Sequence, residues 1–77
     1  MTPPAKIDQR LARALRSLRE QRGETQEGLA HAAGVTTTGL NRIERGKANP
    51  TWTTLTRILG ALEVTLAELE TALAARD

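Results

Sequence analysis

The sequence predicts an all-α fold: a compact bundle of five helices around a central helix-turn-helix. Three observations carry that expectation. Apolar residues recur at spacings of three and four, and no run alternates as strands would. The core-forming set is aliphatic, with eleven Leu, three Ile and two Val against one Trp and no Phe or Tyr. Thr25 to Gly46 divides into two short helical patterns joined by a turn containing Gly34. At 77 residues there is room for one domain, and such a domain buries only roughly 60% of its unfolded surface, so the aliphatic core must interlock well.

In chain order, residues 1–6 hold Pro3 and Pro4 and no apolar pattern. They are expected to form a flexible N-terminal arm, with residues 7–77 as the folded domain. Ile7, Leu11, Leu15 and Leu18 define the buried stripe of a first helix running to about Arg22, which Gly23 ends. Arg10, Arg13, Arg16, Arg19 and Arg22 recur every three residues and drift around that helix, a pattern expected mostly of a solvated face.

Thr25 is a good N-cap for the second helix, whose Leu29, Ala30 and Ala33 share a face. Gly34 supplies the left-handed residue that stops it, and Val35 tucks back onto both neighbours. Thr36 restarts the chain as the next N-cap. Leu40 and Ile43 then form the inward stripe of the third helix, and Gly46 closes it. Asn49-Pro50 is a turn signal, and Thr51 caps a fourth helix carrying Trp52, Leu55, Ile58, Leu59 and Leu62. Trp52 is expected in the core, plugging the joint between the fourth helix and the third. Val64 and Thr65 make a short connection to a fifth helix, about 65–76, patterned by Leu66, Leu69 and Leu73. Leu66 and Leu69 are expected to close the small core, whereas Ala72, Leu73 and Ala75 extend past its obvious need. A homodimer seam, with Leu69, Ala72 and Leu73 as its candidate residues, and a frayed C-terminal turn both account for that extension.

Composition excludes several classes of chemistry. Without Cys there is no disulfide, catalytic thiolate or thiolate zinc site. His31 is the one His, with no second ligand near it in sequence, so no metal or other cofactor is expected. No clustered acid-base set suggests an enzyme. No apolar run approaches a membrane span and MTPPAK lacks the apolar segment of a signal peptide, so a soluble cytoplasmic chain is expected. Net charge is +2, with nine of the eleven cations Arg, a balance that permits a nucleic-acid partner without demanding one.

The strings TQEGLAHAAGVTTTGLNRIERGKANP and LTRILGALEVTLAEL resemble the phage-repressor and Cro-type (xenobiotic-response-element type) helix-turn-helix family of transcriptional regulators. The resemblance spans Ile7 to about Leu69. It rests on Gln26 after the N-cap, the Leu29-Ala30 pair, Gly34-Val35, Ile43-Glu44-Arg45-Gly46, Asn49-Pro50, and Ala61-Leu62 followed by Val64-Thr65-Leu66. It implies a lambda-repressor-like DNA-binding fold whose third helix enters the major groove of double-stranded DNA.

By that resemblance Thr37, Thr38, Asn41 and Arg42 match the base-reading positions. The chemistry agrees: Thr offers a methyl or a hydroxyl, and the planar fork of Arg suits guanine O6 and N7. Gln26 matches a residue that grips phosphate and braces the recognition helix, at a helix start that already favours an anion. Thr25, Arg45, Lys47, Asn49 and Thr53 are assigned to the DNA backbone. Arg19 and Glu44 match a partly buried ion pair between the first and third helices. Glu63 departs from the family, which often has Gly there, so that corner is expected to close differently.

The function implied is that of a sequence-specific, homodimeric transcriptional regulator on a palindromic operator, of the small-repressor, controller or antitoxin-like kind. It would reside in a bacterial or phage-infected cytoplasm with the nucleoid, without a small-molecule effector. The alternative is a protein-protein interaction module that reuses the fold.

Overall fold

A computed structural model describes residues 6–75. It contains α1 (Gln9–Gln21), α2 (Gln26–Ala33), α3 (Thr37–Glu44), α4 (Trp52–Leu62) and α5 (Leu66–Ala74), with no strand among the described residues. The all-α, five-helix reading holds. The expected arm lies outside the described residues except for Lys6, as does the expected end of the fifth helix at Arg76.

Short polar side chains fix every helix start. Thr25, Thr36, Thr51 and Thr65 cap α2 to α5, each accepting from the backbone N–H three residues on. Each such cap contributes about 1 kcal/mol by satisfying a donor that the helix cannot. Thr65 does more than connect, because Glu68 reaches back to its N–H in a capping box. Asp8 caps α1 by accepting from the N–H groups of Arg10 and Leu11. Ile7 therefore precedes the cap, outside the helical register, and is 38% exposed rather than part of the buried stripe.

The core is made where four helices meet. Leu15, Leu29, Leu40 and Ile58 are fully buried, one from each of α1 to α4, and Leu18, Ala30, Leu59, Leu62, Val64 and Leu69 close around them. Gly34 takes φ 71°, which turns the chain so that the Val35 N–H donates to the Ala30 carbonyl at 3.0 Å. That sharp reversal sets α3 across α2. At the end of α4, Glu63 itself takes the left-handed conformation, φ 57° and ψ 43°, so the corner closes as a Gly would close it and not differently. Arg22 holds the far side, with Nη2 3.3 Å from the Glu63 carbonyl and 3.4 Å from Glu68 Oε2.

Three apolar placements differ from expectation. Trp52 is 64% exposed. It is the first residue of α4, one step past the cap, and the joint it was expected to plug is a shallow groove of about 300 Å³. Val35, Gly39, Arg42, Ile43, Asn49 and Thr54 are among the residues that line it. Leu66, the first residue of α5, is 55% exposed. Leu69 is 5% exposed, so it belongs to the core of one chain and is not available as a dimer-seam residue. Ala72 and Leu73 pack on the core only in part.

Candidate nucleic-acid interface

α3 has two faces of opposite character. Leu40, Ile43 and Glu44 point inward and are buried, which anchors the helix in the bundle. Thr37 and Thr38 on its first turn and Arg42 one turn later are exposed, and Asn41 stands half-buried at the boundary. The structure thus brings Thr37, Thr38, Asn41 and Arg42 onto one helix, with its capped start turned to solvent. Thr36 explains Gly39 as well: a Cβ there would lie 2.9 Å from the capping Thr36 Oγ1.

The inward face contains a carboxylate, which needs a partner. Arg19 supplies it, with Nε 2.8 Å from Glu44 Oε2 and Nη2 2.9 Å from Oε1. The hydrogen bond to Glu44, reinforced by the charge attraction, raises the Arg19 pKa above its already high ordinary value, against a smaller opposing effect of burial. Arg19 Nη1 also donates to the Glu24 carbonyl at 2.7 Å, just before α2. One guanidinium thereby ties α1 to the start of α2 and the end of α3.

Gln26 is half-buried and works inside this cluster. Its Nε2 donates to Glu44 Oε1 at 3.1 Å, and its Oε1 accepts from Asn41 Nδ2 at 3.2 Å. It bridges the ion pair to the exposed side of α3. Thr25 spends its hydroxyl oxygen as an acceptor for the Gly28 N–H at 3.0 Å.

Asn49 has a second role that the sequence did not reveal. Its Oδ1 accepts from the Asp8 N–H at 2.8 Å and its Nδ2 donates to the Lys6 carbonyl at 3.0 Å. Gln9 Nε2 adds a hydrogen bond of 3.0 Å to the Gly46 carbonyl. The loop after α3 is thus stapled to the start of α1. These partners are 37 to 43 residues apart, so no local pattern announces them. Arg45, Lys47 and Thr53 are exposed around this loop. Of the arginine row on α1, Arg10, Arg16 and Arg22 pair with Asp8, Glu20 and Glu68.

Among the described residues, no group of three or more His, Asp or Glu could hold a metal ion, and His31 is exposed. No described helix is long and apolar enough to cross a membrane.

A short helix reversed on Gly34, followed by a helix anchored on one face and polar on the other, is a helix-turn-helix unit of the kind found in transcriptional regulators. Comparison with known proteins agrees. The helix-turn-helix domain family matches residues 10–72, and the chain belongs to that family, within its Cro/CI-type regulators. It is 43% identical over 54 residues to the HTH-type transcriptional regulator SutR of Escherichia coli (strain K12). That match covers 70% of this chain and 30% of SutR, so the chain spans less than a third of that relative. The clp gene regulator ClgR of C. glutamicum superposes with TM-score 0.82 at 30% identity, covering 96% of this chain and 95% of ClgR. The restriction-modification controller protein C.AhdI of Aeromonas hydrophila superposes with TM-score 0.75 at 30% identity, covering 79% and 92%.

Proposed function

We propose that this chain is a sequence-specific transcriptional regulator that binds double-stranded DNA as a homodimer on a palindromic operator. The observation that carries the reading is the division of α3, which buries Leu40, Ile43 and Glu44 and leaves Thr37, Thr38 and Arg42 outward. α3 enters the major groove, where Thr37, Thr38, Asn41 and Arg42 meet base edges. The start of α2 with Gln26, together with Thr25, Arg45, Lys47, Asn49 and Thr53, follows the phosphates. Asn49 has one N–H left for that purpose once the chain start is held.

The dimer forms along α5. Support comes from the exposed Leu66, the partly covered Ala72 and Leu73, and the groove of about 570 Å³ that Ala72 to Ala75 share with Arg10, Arg13 and Ser17 of α1. Two copies related by a twofold axis would read half-sites about one helical turn, ~34 Å, apart. ClgR is a clp gene regulator and C.AhdI a restriction-modification controller protein; this chain takes a role of the same compact-regulator kind, acting on a set of target genes.

Gel retention on a random duplex pool tests the reading. Specific retention that weakens steeply with salt is the expected result. No retention at low salt would leave the chain a protein-interaction module.

A further inference from the structure

The ion pair in the core fixes the direction of every hydrogen bond between it and the surface of α3. Both Glu44 oxygens accept from the Arg19 guanidinium, and a carboxylate only accepts. The Gln26 group 3.1 Å from Glu44 Oε1 is therefore its NH₂. The Gln26 carbonyl then faces the other way, toward Asn41, and it only accepts. Asn41 must answer with its own NH₂, at 3.2 Å. A flipped Asn41 would set two carbonyl oxygens against each other. Arg19, Glu44, Gln26 and Asn41 are thus joined by an unbroken chain of hydrogen bonds.

What remains at Asn41 is one N–H of Nδ2 and the whole of Oδ1, side by side on a planar amide. In the major groove that pair complements adenine, which offers an acceptor at N7 and a donor at N6. Guanine offers two acceptors, and thymine an acceptor and a methyl, so both oppose Oδ1. Cytosine offers only a donor. The geometry points to Asn41 as an adenine-specifying residue whose amide is kept from turning over by Gln26, a positioning residue that transmits the polarity of the buried Glu44. This rests on the proposed placement of α3 in the major groove.

Selection of bound sequences from a random duplex pool tests it, with wild type, Gln26→Leu and Asn41→Ala in parallel. Wild type should recover adenine at one position of each half-site, and Asn41→Ala should lose that preference alone. Gln26→Leu should keep the other positions and lose roughly tenfold of its discrimination at the adenine, as expected when a bidentate base contact is no longer held in one orientation. If Gln26→Leu weakens binding with every base preference intact, the relay is overturned, since a purely structural or phosphate role would do that. If Asn41→Ala flattens a position that wild type fills with another base, the adenine assignment is overturned. Retention of the pool without any selected sequence overturns the relay while leaving general DNA binding intact, and no retention at low salt overturns the groove placement itself. A measurement on free wild type guards against a variant that fails to fold: ¹⁵N spectra should show two resolved side-chain amide protons for Gln26 and for Asn41, with the hydrogen-bonded one of each slowed in exchange, and amides that rotate and exchange freely would exclude the relay.

Discussion

Arg19 on α1 meets Glu44 on α3 in a fork of three hydrogen bonds, 2.8 to 3.1 Å long, with the Glu44 side chain 1% exposed and that of Arg19 13%. Removing one partner of such a pair leaves the other charge buried alone. Glu44→Ala should therefore lower stability by ~3 kcal/mol or more. Replacing both residues with Leu should cost less than the single change, because no orphan charge remains. Denaturant unfolding of the three proteins checks this, and a Glu44→Ala midpoint equal to wild type would rule out the pair in solution.

Asn49 joins two stretches that are far apart in sequence, and its loss should be felt at both. Asn49→Ala removes two hydrogen bonds to the backbone at Lys6 and Asp8. At about 0.5–1.5 kcal/mol for each, the expected destabilisation is about 1–3 kcal/mol. Hydrogen exchange at the Asp8 amide should accelerate in the folded protein, ahead of any change in α2. An Asp8 amide with wild-type protection would mean that the staple is not formed.

These two contacts mark the boundary of what the sequence reveals. The helices, the caps Thr25, Thr36 and Thr51 and the reversal at Gly34 follow from local rules, since a cap or a left-handed Gly acts within a few residues of itself. The exposed row Thr37, Thr38 and Arg42 follows from helical phase once Leu40 and Ile43 are assigned inward. The staple by Asn49 and Gln9 does not follow, because it depends on where α1 and α3 come to lie in space, and the bridge by Gln26 follows only from the resemblance, whose matching residue braces the recognition helix. Periodicity also misplaced Ile7, Trp52 and Leu66. Each continues an apolar stripe correctly but sits before or in the first turn of its helix, where no neighbouring element remains to cover it.

Trp52 gives a direct check on that last point. A buried Trp reduced to Ala costs about 3–5 kcal/mol, whereas an exposed one away from special contacts changes stability by about 0.5 kcal/mol or less. Trp52→Ala should fall in the second range. As the sole Trp in the chain, it should also emit as a solvated indole in the free protein. A large loss of stability would return Trp52 to the core.

Glu63 is the one described residue other than Gly with positive φ. The left-handed region costs an ordinary L-residue roughly 1–2 kcal/mol, partly offset for Gly by the greater freedom of its unfolded chain. Glu63→Gly should stabilise the fold by about 0.5–1 kcal/mol, a rise of a few degrees in Tm for a domain of this size. The bond from Arg22 runs to the Glu63 carbonyl and survives the change. A lower Tm would show that the Glu63 side chain contributes a contact worth more than the strain.

Arg42 and Arg45 are both exposed cations three residues apart, yet the proposed interface gives them different work. Arg42 lies within α3 on its exposed side, one turn after Thr38, where its fork can address guanine O6 and N7. Arg45 is the C-cap residue of α3, at the end of the helix away from the base-reading first turn, where a phosphate is the natural partner. Arg42→Ala should cost about 1–3 kcal/mol on the selected operator and relax preference at one position of each half-site. Arg45→Ala should weaken all duplexes alike and reduce the salt slope of binding by about one. Salt titrations on the selected operator and on a scrambled duplex separate the two. Equal losses on both duplexes for both variants would remove Arg42 from the base-reading set and leave sequence discrimination to Thr37, Thr38 and Asn41.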